Sequence, residues 1–197
     1  LCRAAEELAG RLSAVSVELR GGSAPGDWTT ISGKHANFAA ELAADDEAQL
    51  LAIPRKARAE VRKGLKYDLT VTPGTAETDR AAHYAVYAQS VRNLGTPVFP
   101  ASLFRAVLKH FGEDADILIV REGDRAVSAV LTLYHKGRAM PFWGGGIGDA
   151  RRLRSNELLY FRLMGHARAR GMEMFDFGRS KLGSGQAAWK KSFGFEP

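Results

Sequence analysis

The chain has 197 residues, 45% of them hydrophobic, enough to bury a sizeable core and between one large domain and two small ones in length. Against 22 Asp and Glu, 28 Lys and Arg leave a formal charge of +6, which permits a polyanionic ligand, phosphorylated small molecules included, without demanding nucleic acid. The single cysteine, Cys2, excludes an internal disulfide and a multi-cysteine zinc site and points to a reducing compartment, the cytoplasm by default.

No apolar run approaches the ~20 residues that a membrane span needs, and no signal peptide is visible. The chain opens at Leu1, inside the helical pattern Ala4, Leu8 and Leu12, and stops at Pro197 after the strand-like FGFEP, so it reads as a piece of a longer protein. Residues 3 to 12 read as the end of an amphipathic helix. Ala14 to Leu19 reads as a strand, with Val15 and Val17 on one face. A loop with Gly21, Gly22, Pro25 and Gly26 leads to an extended segment from His35 to Leu42. Pro54 then opens a helix to about Lys66 that places Ala57, Val61 and Leu65 on one face, with Arg55, Arg58, Arg62 and Lys66 on a neighbouring stripe.

Leu69 to Thr72 reads as a short strand closed by Pro73-Gly74, and Gly74 to Thr78 as a hinge dividing a domain over 1–74 from one over 75–197. A helix from about Glu77 to Arg92 follows, then the loop NLGTPVFP, then a helix from Pro100 whose Leu103, Phe104, Val107, Leu108 and Phe111 form an apolar face. Three strands come next: Asp116 to Arg121, Ala126 to Tyr134 and Arg138 to Trp143. Tight turns at Gly123-Asp124 and Lys136-Gly137 fold them into an antiparallel meander. The glycine-rich segment from Gly144 reads as a loop into a helix capped by Ser155 or Asn156 and ended by Gly171. After it, Met172 to Gly178 returns to strand, and a glycine turn precedes a short helix with Lys190 and Lys191.

Two stretches carry the chemistry. Gly144, Gly145 and Gly146, with Gly148 and Arg151, Arg152 and Arg154 behind them, stand between a strand and a helix, where unpaired N–H groups and the positive end of the helix suit an anion. The closing run FDFGRSKLGSGQAAWKKSFGFEP sends a strand into a cationic corner containing Arg179, Lys181 and Lys190. Between its two phenylalanines, Asp176 projects from the opposite face of the strand. No GxSxG, HExxH, Walker or dinucleotide-binding pattern is present.

The closing run resembles the C-terminal signature of the FemAB-like branch of the GNAT acyltransferase superfamily, and VRNLGTPVFP, residues 91 to 100, is similar to the matching stretch of FemAB-like proteins of exopolysaccharide and exosortase (PEP-CTERM) loci. The resemblance implies an α+β, mixed α/β fold: a mostly antiparallel central sheet flanked by helices, in two tandem GNAT-like subdomains with the first truncated. It implies an N-acyl- or aminoacyltransferase forming an amide on an amino group of a cell-envelope or exopolysaccharide precursor. No tightly bound cofactor or metal is expected; the donor is an acyl-CoA or an aminoacyl-tRNA. Arg92, the three glycines, Arg179, Lys181 and Lys190 would hold phosphate, and Asp176 and Tyr160 would line the catalytic cleft.

GNAT-type transfer needs mainly orientation, a strand N–H to polarise the carbonyl, and a proton acceptor, for which Asp176, Tyr160, Glu157 and His135 are all available. Two other readings stay open: a non-catalytic binder of an anionic polysaccharide precursor, and a nucleic-acid-binding module built on the basic helix. DNA is not expected as a partner.

Overall fold

The computed structural model describes residues 1–23 and 25–197, which form two compact units, Leu1–Lys34 and His35–Pro197. In the first, helix α1 (Cys2–Arg11) is followed by irregular chain, and Trp28 Nε1 donates to Glu6 Oε1 at 2.6 Å. The strand expected over Ala14 to Leu19 does not form, and Val15 is fully exposed. Alternation specifies a strand only where a neighbouring strand and a covering surface exist, and this segment has no ladder partner.

The second unit is a six-stranded sheet with helices on both faces. In chain order its elements are β1 (His35–Glu41), α2 (Asp46–Ala52), α3 (Arg55–Gly64), β2 (Thr70–Gly74), α4 (Glu77–Asn93), α5 (Ala101–Phe111) and β3 (Ala115–Glu122). Then come β4 (Arg125–His135), β5 (Arg138–Gly146), the single turn α6 (Ala150–Leu153), α7 (Ser155–Ala169), β6 (Met174–Lys181) and α8 (Gly185–Ser192). The order across the sheet is β1-β6-β5-β4-β3-β2, with every pair antiparallel except β5 and β6. This is the mixed, mostly antiparallel architecture expected from the sequence.

The meander over β3, β4 and β5 closes as anticipated: Gly123 and both Lys136 and Gly137 take positive φ, which two-residue hairpins require. Residues on either side of the expected hinge share this sheet, since β2 pairs with β3 from Thr70↔Arg121 to Gly74↔Ile117. Gly74 to Thr78 therefore links a strand to a helix inside one unit and does not separate two. There Asp79 accepts from Ala76 N at 3.2 Å and occupies the space that a Cβ on Gly74 would take. Helix α2, missed from the sequence, is capped by Asp45, which accepts from Ala48 N at 2.7 Å.

Two cores form because β3 and β4 are apolar on both sides. Ile117, Ile119, Ala129 and Leu131 pack under α4 and α5 with Tyr87 and Phe104, while Leu118, Val120 and Val130 pack under α3 and α7 with Val61, Leu159 and Leu163. Leu65, expected in the α3 core face, is 38% exposed; Gly64 takes its place against α7, where a Cβ would meet Arg154 O at 3.0 Å and Leu158 Cβ at 3.1 Å. The closing FGFEP is not a strand, yet Phe193 and Phe195 are buried against Trp189, Phe175 and Phe177.

Candidate active site

Strands β5 and β6 run parallel but pair at only two positions, Arg138↔Met174 and Ala139↔Phe175, and then separate. Irregularities in both strands accompany the divergence. In β5, Leu131 faces Trp143 while Thr132 faces Pro141, so Phe142 is an extra residue; Pro141, which has no N–H to give, marks the break. In β6 the register shifts between Asn37↔Arg179 and Ala39↔Asp176, leaving Phe177 and Gly178 opposite Phe38. This second bulge changes which residues face inward. Phe175 and Phe177 are buried before it and Ser180 after it, so Asp176, Arg179 and Lys181 share the opposite face of β6.

The three glycines lie in β5, not in the loop expected from the sequence: they pair with Val130, Ala129 and Ser128. Each is required by close packing. A Cβ on Gly144 would sit 2.9 Å from Val130 Cβ, one on Gly145 2.5 Å from Ser90 Cβ on α4, and one on Gly146 2.8 Å from Asn156 Oδ1 on α7. Ile147 N donates to Val127 O on β4 at 3.0 Å. By strand alternation, the main-chain groups of Gly145 also point to β4, while those of Gly144 and Gly146 point to the edge that β6 has left. The gap is thereby lined by N–H groups that no strand pairs.

The α7 side of the gap follows from contacts. Asn156 touches Gly146; Tyr160, one turn on, packs on Phe177 and Trp189 with ring centroids 5.2 and 5.0 Å away; Trp189 precedes Lys190. Burial pushes the Tyr160 phenol up to about 12, so it stays protonated at neutral pH. The expected caps are corrected: Arg154, in the left-handed region at φ 54, stands at the N-terminus of α7, while Ser155 Oγ is 2.6 Å from Ser128 Oγ. Asn156 Oδ1 is buried without a hydrogen-bond partner.

Lys190 is not a free cation. Its Nζ donates to Phe177 O at 2.7 Å and Gly178 O at 3.0 Å, capping the β6 bulge, and burial lowers its pKa against the opposing pull of Asp176. The Asp176 carboxylate accepts from Gly178 N at 2.8 Å and Asn37 Nδ2 at 3.1 Å, so it too shapes the bulge. Arg179 and Lys181 are exposed on the same face of β6 as Asp176. Arg92 is exposed at the end of α4, two residues past the Ser90 that packs on Gly145. Contacts thus run from Gly146 through Asn156 and Tyr160 to Trp189 beside Lys190, whose ammonium sits at the β6 bulge near Phe38 of β1, while Arg92, Arg179 and Lys181 stay at the surface.

His83 escaped the sequence reading. It is fully buried on α4, with Nε2 2.7 Å from Trp143 O and Nδ1 unpartnered, and desolvation lowers its pKa. The Nε2–H therefore donates and the ring stays neutral. A lone histidine in an otherwise featureless helix carries no periodic signal.

Residues 54–191 match the family model described as acetyltransferase (GNAT) domain, a stretch covering well over half of the chain. The chain belongs to the GNAT acetyltransferase domain family. Among solved structures it is similar to FemX, at 15% identity and a TM-score of 0.74 over 81% of this chain and 58% of that one. A GCN5-related N-acetyltransferase from Sphaerobacter thermophilus gives 14% identity and a TM-score of 0.60 over 83% and 48%. The C-terminal domain (DUF2156) of a putative lysylphosphatidylglycerol synthetase from Agrobacterium fabrum gives 14% and 0.59 over 83% and 58%. At these identities the likeness is one of fold, and the chain spans about half to three-fifths of each structure's length. No curated protein matches the sequence. Membership supports acyl transfer as the general chemistry. Among the described residues no helix is long and apolar enough to cross a membrane.

Proposed function

We propose that the gap between β5 and β6 holds the donor of an N-acyl or aminoacyl transfer, and that the acceptor is an amino group on a phosphorylated cell-envelope or exopolysaccharide precursor. The observation that carries this reading is the departure of β6 from β5 after two residue pairs, which leaves the Gly144 and Gly146 N–H groups turned toward the gap. Such donors, fixed before the reaction, stabilise the charge that grows on a carbonyl oxygen under attack.

In the reaction the amine nitrogen attacks the donor carbonyl carbon, and the oxygen takes hydrogen bonds from these glycines. The tetrahedral intermediate collapses to the amide with loss of a thiolate, from an acyl-CoA, or of a ribose oxygen, from an aminoacyl-tRNA. Tyr160, protonated at neutral pH, would give its phenol proton to that leaving group and is not a base. Asp176 is the carboxylate nearest the bulge and would take the proton released by the amine, while Arg92, Arg179 and Lys181 would meet phosphate on the acceptor. Lys190 acts by holding the Phe177 and Gly178 carbonyls, and so the shape of the gap.

A thermal-shift and transfer screen against coenzyme A thioesters, aminoacyl-tRNA and nucleotide-sugars tests the reading. Stabilisation by one donor class, with amide formation abolished by Tyr160→Phe, supports it. A protein stabilised by nucleotide-sugars alone and inert with every donor contradicts it and is a binding protein.

A further inference from the structure

The chain's positive charge is not spread over its surface. Between Arg55 and Lys66 stand six Lys and Arg and one acidic residue, Glu60, a net +5 in twelve residues against +6 for the whole chain. The fold keeps this charge outward. Ala57, Val61 and Gly64 bury the other side of α3, and a surface hollow of about 430 Å³ runs between Arg55, Arg58, Arg62, Lys63 and Lys66. Some of these charges serve the fold: Lys63 pairs with Glu60 at 2.8 Å, and Arg58 Nε donates to Ile53 O at 3.1 Å. Arg55, Arg62 and Lys66 are exposed and take no partner among the described residues.

We propose that this face of α3 docks the sugar-phosphate backbone of an RNA, at a site separate from the β5–β6 gap. Arg55, Arg58 and Arg62 recur every three or four residues along one side of α3, about 5–6 Å apart, a repeat close to that of successive phosphates on a strand, and Lys66, in the turn just past the helix, lines the same hollow. Three of the four are arginines, whose planar fork matches a phosphate's oxygens in pairs. A flat anionic lipid surface fits less well, because the apolar side of α3 is spent against the core and offers nothing to bury among acyl chains. The stripe faces away from α7, against which the opposite side of the helix packs through Gly64 on Arg154 and Leu158. The inference concerns a binding surface and holds whichever donor the gap accepts.

The test is fluorescence anisotropy on the full chain with uncharged tRNA, duplex DNA and phosphatidylglycerol vesicles across a salt series. The variants are Arg55→Gln/Arg62→Gln/Lys66→Gln and, as a control of equal charge, Arg105→Gln/Lys109→Gln/Lys136→Gln. The first should weaken tRNA binding at least ten-fold and reduce the slope of log affinity against log salt by roughly 2 to 3, with the control within two-fold of wild type. Equal losses in both variants, no binding of tRNA, a preference for duplex DNA, or binding to vesicles alone would each overturn the proposal. Transfer of a small donor in the stripe variant reports separately on the gap, so the two readings fail independently.

Discussion

Ser90 and Gly145 compete for one space: a Cβ on the glycine would lie 2.5 Å from the Cβ of the serine. Helix α4 therefore rests directly on the backbone of β5 beside the gap, and the glycine is fixed by packing.

Gly145→Ala should cost about 1–3 kcal/mol, because neither a strand nor a helix backbone gives way cheaply. Adding Ser90→Gly should recover part of that loss, although glycine inside a helix costs about 1 kcal/mol itself. Denaturant unfolding of the four-member cycle reads the coupling. Additive effects would show that the two residues do not share the space.

Lys190→Ala leaves two main-chain carbonyls at the β6 bulge without their donor and should destabilise by about 2 kcal/mol. Lys190→Met keeps the aliphatic stem and should lose nearly as much, since the ammonium carries the role. If Lys190 met only ligand phosphate, both variants would keep wild-type stability.

His83 gives a signed pH dependence. Burial holds its folded pKa below the ordinary histidine value of about 6.5, so between that pKa and about 6.5 the unfolded chain binds the extra proton. Stability should be full above pH 6.5 and fall as pH drops through that window, by at most about 1.4 kcal/mol per pH unit from this group. His83→Gln should flatten the decline in melting temperature from pH 7 to 5. An unchanged slope would mean that the ring protonates freely in the fold.

On the other face of α7, Asp116 accepts from Tyr134 Oη at 2.8 Å and His166 Nε2 at 2.7 Å, and Arg170 stacks over Tyr134 at 4.1 Å. Asp116→Asn should cost about 2 kcal/mol by leaving Arg170 and His166 facing a neutral amide. The variant should retain transfer activity in proportion to its folded fraction, because this network lies away from the gap. Activity lost while the protein stays folded would tie the network to the site.

Much of this fold was legible in local patterns. The β3–β5 hairpins announce themselves through Gly123 and Lys136-Gly137, and α7 through Leu159, Leu163 and Ala167, because turn chemistry and helical spacing are properties of short segments. The site was legible only in part. The glycine run was visible, but its membership of β5 was not, since pairing with Val130 and packing on Ser90 depend on residues far away in sequence. Pro141 inside an apolar strand was the one local hint of the Phe142 bulge. The roles of Lys190 and Asp176 in shaping β6 arise from main-chain carbonyls and N–H groups that a sequence does not distinguish. That β2 joins the same ladder as β3, across residues 74 and 75, rests on hydrogen bonds that composition does not register.

The most direct measurement is a ¹⁵N NMR titration of the full chain with a non-transferable donor analogue, a coenzyme A thioether in one series and an amide-linked aminoacyl-tRNA mimic in the other. In one of the two series, the amide resonances of Gly144 and Gly146 should shift first and furthest, with Gly178 following and Leu118 unmoved. Saturable binding that leaves both glycine amides in place while shifting residues elsewhere would contradict the assignment of the β5–β6 gap as the donor site.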